Sequence, residues 1–452
     1  GWSFSTTRST LSLRSLIEYG ESLFNPTVRL GVTGLSRAGK TVFITALVHG
    51  LLRGGRFPVF ESLATGRIAR ARLEPQPDDA VPRFAYEGHV RTLIEDRRWP
   101  HSTVDISELR LVIEYQRQNA ATRTLTLDLV DYPGEWLLDL PLLTQSYGQW
   151  SHTTLRPMRK GVRAEISGDF LSFIAQHRPE EAASEEVAKQ AHYLYCAYLL
   201  AARDRHGLSF LQPGRFLCRG SLGDVPYLWF APLEIREGAG NFAPHTLGAL
   251  MAERFDVYKR EAVARFYVEH FRHCARQIVL VDVLRALLAC RDAFDDTRLA
   301  LEAILESFRY GHGGIISKLL FGSHIDKVLF AATKADHVPD IQRDHLAALL
   351  RNMAAIPALE VKSGNAQFEV TALASVISTA EESQEIDGHR VQVVVGRPVG
   401  ARKQSKFFVG NVPIRPPRAG AWGTPFLNVP VFEPPAIDPS PVEGIPHINL
   451  DL

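Results

Sequence analysis

Gly34-Leu35-Ser36-Arg37-Ala38-Gly39-Lys40-Thr41 constrains this chain more than any other stretch. It satisfies Gly-x-x-x-x-Gly-Lys-Ser/Thr at each fixed position, the pattern of a loop that wraps phosphates. Such a loop must aim several backbone N–H groups inward, and bulky residues at its turns would block the approach. Gly34 permits the turn, and Gly39 lets the backbone come close. The expected phosphate contacts run through Ser36, Arg37, Ala38, Gly39, Lys40, Thr41 and Val42. Lys40 brings a point charge to the terminal phosphates, and the Thr41 hydroxyl is suited to Mg²⁺. The flanks agree. Val28–Thr33 alternates like a strand, and Val42–Leu52 follows with Phe43, Ala46, Leu47, Gly50 and Leu51 at helical spacing. Strand, loop and helix in this order put the phosphates at a helix N-terminus.

The 452 residues call for more than one domain, or for one domain with large insertions. A net charge of +1 gives no push toward nucleic acid or an anionic membrane as the main partner. Four cysteines are spread widely without a Cys-x-x-Cys pair. They read as reduced thiols and not as a zinc site. No apolar run approaches the roughly 18–20 residues of a membrane span, and the N-terminus lacks a signal-peptide pattern. A cytoplasmic location is expected, at most peripheral at the inner membrane.

Along the chain, residues 9–24 form an amphipathic pattern suited to packing on the following domain, so residues 1–26 read as an N-terminal helical segment. Residues 53–102 are rich in Arg and Pro and read as loop with a helix over 87–98. Leu109–Tyr115 and Leu125–Asp131, joined by a polar turn, predict an antiparallel hairpin at a sheet edge. Residues 137–275 carry helical periodicity over 164–176, 180–203 and 246–272, which predicts a mainly helical insertion. Strand character returns at Gln277–Val283, Lys327–Thr333 and Phe368–Thr371, with helices around 296–308 and 341–354 between them. This alternation predicts an α/β fold with a mainly parallel sheet covered by helices, in pieces 27–136 and 276–384. The last segment, 385–452, holds 11 of the 27 prolines. It reads as β hairpins and extended chain, with its end loose.

Two further motifs narrow the nucleotide. Asp131-Tyr132-Pro133-Gly134 ends an apolar strand, where Asp131 suits Mg²⁺ and the Gly134 N–H suits a γ-phosphate. Thr333-Lys334-Ala335-Asp336 ends another, matching Asn/Thr-Lys-x-Asp. A carboxylate there accepts from the N1–H and amine of guanine, a donor pair that adenine lacks. The Lys334 stem can cover the base, and His337 can flank it. Thr371 and Ala372 end the last strand, where the Ala372 N–H is placed for the guanine O6. Thr103 is the expected second threonine on Mg²⁺, with Thr65 the runner-up. Far more chain separates Asp131 from Lys334 than the roughly 30 residues of a βαβ unit, and the surplus coincides with the helical insertion. A nucleotide-dependent movement behind Gly134 would pass directly into it.

These motifs, with Trp99-Pro100, Glu135-Trp136-Leu137-Leu138-Asp139-Leu140-Pro141-Leu142, Gln277–Asp282 and His337, resemble those of the YcjX-like P-loop proteins of bacteria. The resemblance covers most of the chain. It implies a Ras-like GTPase domain with a helical insertion, binding of GTP and GDP with slow hydrolysis, a stress-linked cytoplasmic role and a membrane-protein partner. Trp99 and Ser102 join Thr103 among the implied nucleotide contacts. In chemistry, Lys40, Arg37 and Glu135 are the candidate catalytic groups. Many small GTPases carry Gln where this chain has Glu135, and a carboxylate beside a γ-phosphate is repelled. That points to slow turnover or to a partner that completes the site. Arg37 can serve as an internal arginine finger or simply face solvent. His270 and His273 are expected to share a helix face at i, i+3, without a third metal ligand in view. Three readings remain open: a regulatory GTPase, a nucleotide-locked scaffold with little hydrolysis, and an ATPase or phosphotransferase.

Overall fold

The computed structural model describes residues 26–53, 66–117, 121–236, 238, 240–309, 325–354, 367–423, 427–438 and 444–450. The expected helix over 9–24 and Thr65 lie outside these residues. The described residues fall into two compact units. The first lies within Gly1–Tyr132, Cys274–Leu288 and His324–Leu452, the second within Pro133–His273 and Ala289–Ser323.

The first unit is built on seven strands: β1 (Thr27–Gly34), β2 (Gly66–Glu74), β3 (Ser107–Arg117), β4 (Arg123–Asp131), β5 (Arg276–Val281), β6 (Lys327–Ala332) and β7 (Gln367–Ala372). Their order is β2-β3-β4-β1-β5-β6-β7. From β4 to β7 every pair is parallel, and β2, β3 and β4 pair antiparallel. The expected hairpin exists, but β2 lies outside it and takes the edge. Its Arg-rich sequence reads as loop because a register shift between Ile68 and Arg70 breaks the alternation of its faces.

Alternate residues Val28, Leu30 and Val32 of β1 join one apolar core with Leu109, Leu127, Ile278 and Leu329 from neighbouring strands. Helix α1 (Lys40–Leu52) covers that core with Phe43, Ile44, Leu47 and Leu51. The opposite face of β1 is polar. A Cβ on Gly31 would lie 2.1 Å from Gln277 Oε1, which accepts the Tyr132 hydroxyl at 2.6 Å. Arg29 pairs with buried Glu108 at 2.7 Å, and Arg110 with buried Asp128 at 2.7 Å.

The tail is more ordered than its prolines suggest. Strands β8 (Thr379–Ile386), β9 (His389–Gly396) and β10 (Ser405–Phe407) form a small antiparallel sheet. Its last described stretch is not loose. Ile445 and Leu450 enter the core, and Ile448 exchanges backbone hydrogen bonds with Ala374 at 2.8 and 3.0 Å.

The second unit is helical. The stretch expected as one helix over 164–176 is two, Gly161–Ile166 and Gly168–Ile174, parted where Ser167 turns its hydroxyl to the Met158 carbonyl at 2.9 Å. The long helix is Glu185–His206, capped by Ser184 and closed by Gly207 at φ 66°. Leu247–Tyr258 runs through a π-helical stretch, Lys259–Ala264, into Arg265–Glu269. His270 and His273 lie past that helix, so they share no helix face. Helix Arg291–Arg309 also belongs here and not to the expected 276–384 piece. Asp296 explains why: it pairs with Arg163 at 2.7 Å and accepts the Ser209 and Phe210 N–H groups at 2.6 and 2.7 Å. Trp150 stacks on Phe255 at 5.2 Å and meets Phe230 edge-on at 5.6 Å in the aromatic core.

Glu135–Leu138, the turn that follows Gly134, is tied into this unit. The Trp136 indole donates to the Cys218 carbonyl at 2.9 Å, and the Arg215 guanidinium lies over its ring at 3.2 Å. The buried Asp139 carboxylate accepts the Gly214 N–H at 2.8 Å and the Tyr258 hydroxyl. Burial outweighs these hydrogen bonds and pushes its pKa up to about 7. A carboxyl with a raised native pKa stabilises fully below the unfolded value near 4, and that contribution is lost as pH rises through about 7. Asp139→Asn is therefore expected to lose least, relative to wild type, near neutral pH and most near pH ~4.5. Urea-unfolding midpoints of both proteins across this range check it; a constant difference would contradict it.

Candidate nucleotide-binding site

The parallel register brings the carboxyl ends of β4, β1, β5, β6 and β7 to one edge of the first unit. Val32 pairs with Asp131, Gly34 with Leu280 and Ala332 with both Val281 and Ala372. Open α/β sheets bind ligands at this edge. Gly34 is pressed against β5, since a Cβ there would meet Leu280 O at 3.0 Å. Leu35 N–H donates to that same carbonyl, and Ala38 N–H to Leu35 O, each at 3.1 Å. Arg37 and Gly39 take left-handed conformations at φ 62° and 87°. This winding delivers the chain to the N-terminus of α1, whose first residues are Lys40 and Thr41.

Beside it, Lys40 Nζ pairs with Asp131 Oδ1 at 2.6 Å. Thr103 donates its hydroxyl to Asp131 Oδ2 at 2.9 Å, and Ser107 approaches the same oxygen at 3.4 Å. Thr41 is buried. Thr41, Thr103 and Asp131 offer only oxygen donors, a set that fits Mg²⁺. Among the described residues no cluster of three or more His, Cys, Asp or Glu offers a different metal site.

A cavity of about 380 Å³ opens here. Arg37, Ala38, Gly39 and Val42 line it from the loop, Trp99, Pro100 and Ser102 from the stretch before Thr103. Thr333, Lys334, Asp336 and His337 line it from the end of β6. Its size suits a nucleotide-sized ligand. Lys334 sits at φ 61°, so the turn after β6 folds back into the 3₁₀ turn Ala335–His337. Asp336 Oδ2 accepts the N–H and the hydroxyl of Ser378, both at 2.8 Å, which fixes the carboxylate plane. Burial pushes the His337 pKa down, leaving a neutral ring on the cavity wall.

Thr371 and Ala372 do not line the cavity. They are held in the β7 ladder opposite Ala331 and Ala332, and the Leu373 carbonyl accepts from Ala335 N–H. The chain reaches the cavity two residues later, through Ala374, Ser375, Val376 and Ser378. The strand runs further in register than its Thr-Ala end suggests. Gly134 and Glu135 open the second unit, as the N-cap and first residue of Glu135–Leu138. There the Glu135 carboxylate interacts electrostatically with Arg203.

Besides Ala374–Val376 and Ser378, the sequence did not single out Asp282, Arg285, Val431 or Phe432 as contributors. Asp282 follows apolar β5 just as Asp131 ends β4, which was a legible signal. It is buried and takes the Lys334 ammonium as partner and the Arg285 N–H at 3.0 Å. Burial opposes its ionisation, but Lys334 and Arg285 outweigh burial and hold its pKa below the usual carboxylate range. Lys334→Ala strands this carboxylate and is expected to cost about 1–3 kcal/mol at pH 7. A depressed native pKa stabilises above the unfolded value near 4 and loses that as pH falls, so the penalty shrinks in acid. Urea unfolding at pH ~7 and at pH ~3 or below checks both halves.

The matches to known proteins follow this geometry. The family model described as YcjX-like family, DUF463, covers residues 28–452. The protein named Ras-like GTPase YcjX in Escherichia coli (strain K12) is 35% identical over 444 residues, spanning 94% of this chain and 93% of its own. The protein of the same name in Shewanella oneidensis is 33% identical over 483 residues, spanning 98% and 96%. No helix among the described residues is long and apolar enough to cross a membrane. With a phosphate loop at the head of a mainly parallel sheet and a family match over nearly its whole length, the chain belongs to the YcjX-like family.

Proposed function

We propose that this protein binds GTP and GDP with Mg²⁺, hydrolyses GTP slowly and works as a nucleotide-dependent switch. The observation that carries this reading is one cavity lined both by the phosphate loop and by Thr333–Asp336. The Asp336 carboxylate, held in plane by Ser378, selects guanine by accepting its paired donors. The relatives' name, Ras-like GTPase, supports the same ligand.

The residues divide the work. Backbone N–H groups of the Arg37–Val42 turn bind the phosphates, and the Lys40 ammonium adds charge. Thr41, Thr103 and Asp131 hold Mg²⁺, which supplies charge neutralisation between the phosphates when bound. Thr103 and Lys40 now both lie on Asp131, so the groups that would act on Mg²⁺ and phosphate are already gathered. Glu135 stands where a water-positioning Gln is common, and its interaction with Arg203 favours a role in the helical unit. Slow turnover follows. That same observation favours the second reading, a nucleotide-locked scaffold with little hydrolysis. The helical unit is the surface we assign to a protein partner, for which a membrane protein is the family-based candidate.

Asp336→Asn is expected to weaken guanine-nucleotide binding about a hundredfold and to restore tight binding of xanthosine nucleotides. Titrations with GDP, XDP and ADP check this. ADP binding as tight as GDP, unaltered by Asp336→Ala, would end the guanine reading. Thr41→Ala is expected to abolish most of the gain in GTP affinity brought by Mg²⁺, about tenfold or more, measured by titration with and without the ion.

A further inference from the structure

One wall of the cavity has no role in the mechanism above. Val431 and Phe432, from the Pro-rich tail, line it beside Lys334, Asp336 and His337. Phe432 is only 1% exposed. Its ring meets the His337 ring edge-on, with centroids 4.9 Å apart and planes at 85°. Phe407 of β10 braces it from 5.7 Å at 73°. A Cβ on Gly396 would lie 2.5 Å from Phe432 Cδ1, so the end of β9 is bare where the ring rests. The Phe432 carbonyl accepts the Trp99 indole N–H at 2.8 Å. Trp99 lines the same cavity, and Thr103, four residues on, bonds to Asp131.

Simple tail packing would account for a buried Phe against Gly396 and Phe407. It does not account for the same residue lining the cavity that Lys334 and Asp336 also line, edge-on to the histidine that follows Asp336. Nor does it account for the carbonyl of that residue holding Trp99, which belongs to the stretch that leads to Thr103. The geometry points to Phe432 as a positioning residue of the nucleotide site. With His337 it forms the aromatic wall of the base pocket, and through Trp99 it ties residues 99–103 to that wall. The inference rests on the guanine-nucleotide reading and deepens it: the tail slows release of the bound guanine nucleotide.

The test is stopped-flow release of fluorescently labelled GDP from the full chain. Phe432→Ala is expected to speed release about tenfold or more, the scale of losing an aromatic face beside a base. Phe432→Leu, which keeps apolar volume but no ring, is expected to speed it as well, and Trp99→Phe to a smaller extent. Ile437→Ala, in the apolar core five residues along the tail, is expected to lower the unfolding midpoint with release near wild type. A folded Phe432→Ala that releases GDP at the wild-type rate overturns the inference. If that variant does not fold, wild-type release from Phe432→Leu overturns it instead. So does an Ile437→Ala that speeds release as much as Phe432→Ala. Failure of the wild-type chain to bind GDP at all would sink the guanine reading itself, and this assay reads that separately.

Discussion

The parallel pairing of β1 between β4 and β5 is the constraint on which the rest of the site depends. Because the register sets Val32 against Asp131 and Gly34 against Leu280, the phosphate loop, the Mg²⁺ candidate and the strand carrying Asp282 end together. A slip of one residue would turn Val32 out of the core and Thr33 into it. The packing forbids that. Val32 is fully buried among apolar neighbours, and Gly31 is the only residue that leaves room for the Gln277 amide and its Tyr132 partner on the other face. The apolar side of the sheet and the polar side therefore specify the same register independently. β6 and β7 extend it outward, which is how Asp336 comes to share a cavity with residues three hundred positions earlier.

Ionic balance at this edge follows one theme. Each acidic group at a strand end is already engaged by a neighbour: Asp131 by Lys40 and Thr103, Asp282 by Lys334, Asp336 by Ser378. A buried charge without such a partner is costly. These contacts hold the carboxylates in place at the edge where the strands end. The preorganisation is strongest around Asp336, where two hydrogen bonds to one oxygen set the plane.

Much of this was legible in the sequence because it depends on local rules. Glycines in Gly34–Lys40, apolar strands ending in Asp131 and Asp336, and alternation from strand to helix each read from neighbouring residues. What did not read depends on distant partners. β2 was hidden because its bulge breaks the two-residue period. The helix Arg291–Arg309 looked like part of the α/β piece because nothing local announces that Asp296 caps the chain at Ser209 and Phe210. Thr371 and Ala372 were placed two residues short because the strand's extent is set by its neighbour β6. Phe432 could not be singled out among the tail's aromatics, since its place comes from a bond to Trp99 across 333 residues.

The membership of Arg291–Arg309 in the helical unit has a consequence for how this protein can be taken apart. The chain leaves the α/β unit after Tyr132, returns at Cys274, leaves again after Leu288 and returns at His324. The helical unit is thus threaded through its host by two separate excursions, with β5 between them. No single contiguous excision removes it and spares β5: cutting out Pro133–His273 alone would leave Asp296 without Arg163, Ser209 and Phe210. The α/β unit cannot finish folding until the stretch from His324 onward has been made, after the last segment of the helical unit.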